Sequence, residues 1–243
     1  MKFKLIALFI TLCLGFTGCS DDETPEPRPT RTILVYMMAN NSLDSYAAKN
    51  IASMVEGATA KNLNGGNLIV YYAPKGSNPE LLQIKEENGI VNKFHIKDYE
   101  KQNSADPSVM LSVIKEVISL YPADSYGLDL WSHGTAWLPS DYQNMLKAFG
   151  QDGSNWLEID DLAKGLPDHV FDFILFDACY MASVECTYEL RNKADYILAS
   201  PTETMADGWP YAQMMPQLFA TDLQLEKVGE TFYNYYLNDS YPY

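Results

Sequence analysis

Two apolar runs in this sequence each stop at a chemically able side chain. The first is Tyr126-Gly-Leu-Asp-Leu-Trp-Ser-His133-Gly134 and the second is Phe171-Asp-Phe-Ile-Leu-Phe-Asp177-Ala178-Cys179. A thiol near neutral pH is mostly protonated, and only the thiolate attacks a carbonyl well. An imidazole beside it raises the thiolate fraction and later protonates the leaving amine. Cys179 is therefore the candidate nucleophile and His133 its partner in acyl transfer. Gly134 has no Cβ and lets the backbone close on the reacting carbonyl, so its N–H and that of Cys179 form the candidate oxyanion hole. Losing one such donor costs about 3 kcal/mol of transition-state stabilisation.

A parallel sheet would bring these residues together, because reactive groups in open α/β sheets collect beyond the carboxyl ends of the strands. The interval from His133 to Cys179 has room for one crossover helix and a loop. Ile33 to Met38 and Asn67 to Ala73 read as two further buried strands. Ser42 reads as the N-cap of a helix running to about Glu56. Asn88-Gly89 between Leu81–Glu86 and Ile90–Ile96 predicts an antiparallel hairpin at one edge. Pro107 opens a helix with Val109, Val113, Ile114, Val117 and Ile118 as its apolar face. A polar stretch from Pro139 to Asn155, a short helix over Ile159 to Gly165, a strand from Tyr196 to Ala199 and a helix over Leu223 to Leu237 complete the pass. A helix from about Met181 would set a positive dipole end near the thiol. Strands alternating with helices argue for an α/β fold with helices on both faces of a mostly parallel sheet.

The order of apolar strand, His-Gly, spacer, apolar strand and Asp-Ala-Cys follows a first strand, Thr32-Ile-Leu-Val-Tyr-Met-Met-Ala39-Asn40-Asn41, and then Ser42-Leu-Asp. This pattern resembles the caspase/legumain/gingipain clan of cysteine peptidases, and most closely the clostripain family, from roughly Arg31 to Trp209. The resemblance implies a caspase-like α/β/α sandwich with a mostly parallel central sheet and an antiparallel edge hairpin. It also implies a cysteine endopeptidase working through a His133/Cys179 dyad and cleaving after Arg or Lys. Asp177, on the same side of its strand as Cys179, would then be the S1 acid, pairing bidentately with a substrate Arg. Its bland alternative is to hold backbone amides at the strand end. Thr204 and Asp207, in the loop after the next strand, would build a wall of the S1 pocket, and Trp209 or Tyr211 could stack on the stem of a bound Lys. Clostripain is a two-chain enzyme made by internal cleavage. Between His133 and Cys179 the basic residues are Lys147 and Lys164, and Lys164 falls in an expected helix, so the expected self-cleavage site is Lys147–Ala148.

The chain's start directs it outward. Met-Lys-Phe-Lys, the apolar run Leu5 to Phe16 and Thr17-Gly18-Cys19 have the parts of a signal peptide and are too short for a persistent membrane span. Cys19 behind Gly18 resembles a lipoprotein box, and Asp21-Asp22-Glu23 resembles the acidic export tract of Bacteroidetes lipoproteins. The expected organisation is a signal peptide over 1–18, a Pro-rich tether over 19–31 and a peptidase domain over 32–243, whose C-terminus reads as truncated because members of the family run longer. The expected location is outside the cytoplasm: an outer-membrane lipoprotein, with display at the cell surface as one option, or a secreted protein. Of four cysteines, Cys13 leaves with the leader and Cys19 would carry lipid, while Cys186 is expected to be buried. Cys179 then remains as a free thiol in an exported protein, which suggests a reactive role.

A net charge of −15, made more negative when Lys2 and Lys4 leave with the leader, excludes nucleic-acid binding through the bulk field. The expected partners are peptide or protein substrates with a basic P1 residue, and a membrane reached only through the lipid anchor. The chemistry requires no cofactor, and no zinc, Gly-x-Ser-x-Gly or nucleotide motif is present. Calcium accompanies the family, but neither Asp152-Gly153-Ser154 nor Asp160-Asp161 forms a recognisable calcium loop. Two other classes stay open: a catalytically silent surface lipoprotein that captures peptides or glycans, and an amidase or transpeptidase on the same fold.

Overall fold

The computed structural model describes residues 30–135 and 148–238. The expected signal peptide, Cys19 and Lys147 lie outside the described residues. In chain order the elements begin with β1 (Arg31–Met38), α1 (Asp44–Gly57), α2 (Ala60–Leu63), β2 (Asn67–Ala73), β3 (Glu80–Glu87) and β4 (Ile90–Asp98). They continue with α3 (Pro107–Leu120), β5 (Ser125–Trp131), β6 (Ala148–Asp152), β7 (Asn155–Glu158), α4 (Ile159–Gly165) and β8 (Phe171–Asp177). The last four are α5 (Val184–Glu189), β9 (Ala194–Leu198), α6 (Tyr211–Leu218) and α7 (Leu225–Asn238).

Seven strands form one sheet in the order β4-β3-β2-β1-β5-β8-β9. The five from β2 to β9 in that order run parallel, while β3 and β4 are antiparallel. The hairpin signal at Asn88-Gly89 is met: both residues sit at positive φ, 54° and 78°, as a two-residue primed turn requires.

Both faces of the sheet are covered, because alternate strand side chains point to opposite sides. Leu34, Leu128 and Ile174 pack with Met110, Val113 and Val117 of α3, Leu162 of α4 and Cys186 of α5. On the other side Ile33, Val35, Phe173 and Leu175 pack with Ile51 and Met54 of α1 and with Met214, Met215 and Leu218 of α6. Helix α3 starts where its sequence says, with the Asp106 carboxylate accepting from the N–H groups of Ser108 and Val109 and with Pro107 in the first turn.

Several elements differ from expectation. Helix α1 begins at Asp44 with Leu43 in the cap position and no side-chain cap, so Ser42 is not its N-cap. Part of the supposed polar stretch is the two-stranded sheet of β6 and β7, turning at Gly153 with φ 60°. Helix α5 starts at Val184, capped by Ser183, rather than near Met181. The chain after Cys179 instead turns at Tyr180, with φ 62°, and is tied to the loop after β9 by Tyr180 N–H to Thr202 O at 2.9 Å and Ala182 N–H to Ser200 O at 3.0 Å. No helix dipole therefore acts on the thiol from this segment, since the six-residue helix starts five residues past Cys179. Helix α6 was unexpected because Pro216 lies inside it. Among the described residues no helix is long and apolar enough to cross a membrane.

Candidate active site

β5 and β8 are neighbours, with Trp131 opposite Asp177. His133 and Cys179 each lie two residues past that pair, so the two chains deliver them side by side. They line a cavity of about 220 Å³ together with Trp131, Asp177, Thr204 and Met205. A larger hollow of about 770 Å³ lies around Arg31 and Asp172 at the amino ends of the strands, and its lining includes neither Cys179 nor any histidine. The smaller cavity is therefore the one with chemistry.

Cys179 is half buried and free of any disulfide. Its Sγ accepts the Thr204 N–H at 3.4 Å and lies 3.7 Å from the Thr204 carbonyl oxygen. Burial pushes the thiol above its ordinary value, the Thr204 N–H pulls the other way, and Glu203 and Asp177 raise it further. Thr204 is fixed in turn by its hydroxyl, which donates to the Ala178 carbonyl at 3.1 Å. Burial lowers the His133 pKa, which favours the neutral ring that a general base needs.

Ser42 is the site residue that sequence reasoning missed. Its Oγ lies 2.8 Å from His133 Nε2. The turn that aims it is tied to the strand ends: Asn41 Nδ2 donates to the carbonyls of Met38 and Gln151, and the Asn41 Oδ1 accepts the Leu43 N–H. Ser132 Oγ, from the end of β5, donates to the Met38 carbonyl and accepts the Gln151 N–H. The signal was present as a Ser two residues before an Asp-led helix, but that pattern reads first as a cap.

β6 runs beside the histidine loop. Gly150 donates to the His133 carbonyl at 2.8 Å, Thr135 donates to the Ala148 carbonyl at 3.0 Å, and Gly134 bridges Phe149. Ala148 is fully buried, with its N–H on Thr135 Oγ1 at 3.0 Å. A Cβ on Gly134 would collide with the Cys179 carbonyl oxygen, so the close approach of these two backbones requires glycine.

Asp177 is almost fully buried beside this cavity. Its Oδ2 accepts the Trp209 N–H at 3.1 Å and the Tyr211 hydroxyl at 3.0 Å. Burial pushes its pKa up to about 7, against the pull of those two hydrogen bonds. Gly208 closes over it at φ 73°; a side chain there would meet Asp177 Oδ2 at 2.7 Å. Trp209 and Tyr211 are buried behind the carboxylate, so neither stacks on a substrate stem, contrary to expectation. Asp207 lies outside the cavity lining, with its Oδ1 3.5 Å from Lys49 Nζ. Among the described residues the one group able to gather metal ligands is Glu80, His95 and Asp98, on the β3–β4 edge far across the sheet from Cys179.

A mostly parallel sheet that places a histidine and a cysteine beyond the carboxyl ends of adjacent strands, with an antiparallel hairpin at its edge, is the caspase-like α/β/α sandwich expected from sequence. Residues 35–241 match the sequence model of the Clostripain family, Peptidase_C11, and the chain belongs to that family. It is 27% identical over 222 residues to clostripain of Hathewaya histolytica, an alignment covering 78% of this chain and 42% of that protein. Among solved structures it is similar to an inactive zymogen C11 protease from Parabacteroides distasonis, at 42% identity and TM-score 0.77, over 87% of this chain and 60% of that one. It is also similar to a secreted C11 cysteine protease from Bacteroides thetaiotaomicron in complex with an irreversible peptide inhibitor, at 44% identity and TM-score 0.76, over 86% of this chain and 59% of that one. The chain thus spans less than half of the curated relative and about three-fifths of these solved chains.

Proposed function

We propose that this chain is a cysteine endopeptidase that cleaves after Arg or Lys through a His133/Cys179 dyad and is activated by self-cleavage after Lys147. The observation that carries this reading is the joint delivery of His133 and Cys179 to one cavity with the buried Asp177 at its side. His133 takes the thiol proton, and the Cys179 thiolate attacks the scissile carbonyl, whose oxyanion is met by the N–H groups of Gly134 and Cys179. Imidazolium then protonates the leaving amine, and water, deprotonated by the same ring, hydrolyses the acyl-enzyme. Ser42 holds Nε2, leaving Nδ1 for these proton transfers. No step requires a metal. Asp177 receives the P1 cation and Thr204 shapes the surrounding wall, while Asp207, beside Lys49 and outside the cavity lining, would have to turn inward to take part.

Self-cleavage at Lys147–Ala148 would leave β6 in place, because its ladder to residues 133–135 starts at Ala148. Export and anchoring through Cys19 belong to the same proposal, and a related C11 protease is described as secreted. The test is hydrolysis of fluorogenic peptides ending in Arg, Lys or Asp by wild type and Cys179→Ala, with chain pattern followed by gel and intact mass. Turnover of Arg or Lys peptides, with wild type split after Lys147 and Cys179→Ala whole, is the expected result. No turnover and two intact chains would instead favour a silent peptide- or glycan-binding lipoprotein.

A further inference from the structure

Behind Asp177 lies a second acid that the proposed chemistry does not use. Asp129 of β5 is 2% exposed, and its Oδ2 is 2.9 Å from the Tyr211 hydroxyl oxygen. The same hydroxyl oxygen is 3.0 Å from Asp177 Oδ2. A phenol has one proton and can donate to only one of two carboxylates. Both short contacts are hydrogen bonds only if one of the acids is itself a donor.

The surroundings decide which acid holds the extra proton. Asp177 Oδ2 also accepts the Trp209 N–H, an arrangement that suits an anion. Asp129 has no such help: its Oδ1 is buried without a hydrogen-bond partner. A charge placed there would be desolvated and uncompensated, the costliest arrangement a carboxyl can adopt. The ionisable groups acting on Asp129 are Asp177 of β8 and Tyr211 of α6; burial raises its pKa first, Asp177 raises it further, and the Tyr211 hydrogen bond opposes them.

We propose that Asp129 is a neutral carboxylic acid at the head of a hydrogen-bond chain, Asp129 to Tyr211 to Asp177, and that it is a positioning residue for recognition of the basic P1 side chain. The inference rests on the reading of Asp177 as the S1 acid. The Asp129 hydroxyl donates to Tyr211, Tyr211 donates to Asp177, and the pocket presents one negative charge, fixed in direction, to one incoming cation. A substrate guanidinium or ammonium then forms a single ion pair with no second buried anion behind it.

The experiment uses the full-length protein, Asp129→Asn and Asp129→Leu. Infrared difference spectra of wild type against Asp129→Asn read the C=O stretch of a protonated carboxyl, which is separate from carboxylate bands. Labelling of Cys179 by peptidyl chloromethyl ketones ending in Lys or in neutral norleucine gives the inhibitor-binding constant and the chemical rate separately. Asparagine keeps the volume and the donor, so Asp129→Asn should lose the protonated-carboxyl band and bind the Lys reagent within about twofold of wild type. Asp129→Leu should bind the Lys reagent about tenfold more weakly, with the chemical rate and the norleucine reaction unchanged. A band that persists in Asp129→Asn overturns the proton assignment, and unchanged Lys binding in Asp129→Leu overturns the role in recognition. Equal labelling of wild type by both reagents would overturn the S1 reading itself and the recognition role with it, while the infrared band would still decide where the proton sits.

Discussion

The two faces of the central sheet bury their residues by different rules. On the face covered by α3, α4 and α5, the strands contribute Leu34, Leu128, Leu130, Ile174 and Phe176, and the deep hydroxyl of Tyr36 is satisfied by the Ser104 carbonyl. On the face covered by α1 and α6, the same strands contribute Val35, Phe173 and Leu175, but also Asp129, Trp131 and Asp177. Trp131 finds the Asn50 side chain at 2.8 Å, and the two acids share one phenol. An apolar layer would have served stability better than buried carboxyls. The polar side is the one that reaches the cavity beside Cys179, so the first face holds the sheet together and, under the proposed function, the second would supply specificity.

Leu128 and Asp129 are adjacent in sequence and lie on opposite faces, so they offer the most direct way to break this contrast. Leu128→Ala should cost about 2–5 kcal/mol of stability by urea denaturation while leaving the P1 preference of the folded fraction unchanged. Asp177→Asn should do the reverse, lowering kcat/KM for Arg and Lys peptides about 100-fold with the melting temperature held or raised. A Leu128 variant with altered preference, or an Asp177 variant without it, would erase the division.

Smaller effects sharpen it. Ser42→Ala should lower kcat about tenfold with little change in KM, and should shift the acid limb of the kcat profile, since it touches the imidazole and not the P1 pocket. Because Asp177 titrates at about 7, KM for a basic P1 should rise as pH falls through that value, and the dependence should vanish in Asp177→Asn. Stability follows the opposite sense. Both acids have raised pKa values in the fold, so the folded state binds more protons than the unfolded chain above the ordinary carboxylate range. For Asp177 that stabilising contribution is complete below about 4 and is lost as pH rises toward 7. Asp129→Asn removes one such group, so its melting temperature should exceed that of wild type at alkaline pH, with the gap closing toward pH 4.

The first face was the more legible in sequence. Its helix α3 announced itself through Pro107 and an apolar stripe, and α4 through Ile159 to Gly165. The strands ending at His133 and Cys179 and the Asn88-Gly89 hairpin were equally plain, because each is a local pattern. The second face was harder to read. Pro216 hid α6, a helix whose burial against α1 outweighs its poor propensity. Ser42 looked like a cap, and its actual partner, His133, lies beyond the end of β5, far along the chain. Asp129 left a signal that passed unread: a lone acid within an otherwise apolar buried strand must find a partner or stay neutral. On the first face, too, β6 and β7, which bury Phe149 and Leu157 there, were lost in a polar stretch because a short ribbon with a glycine turn has little periodicity to show.

β5 and β8 lie edge to edge in the sheet, yet they fall on opposite sides of Lys147 in the chain. A cut at that bond would put the imidazole on one fragment and the thiol on the other without separating them. It would change the order of the folding reaction: a chain that refolds by itself would become two chains that must meet. Recovery from denaturant would then depend on concentration, and dilution alone would make a single unfolding event final.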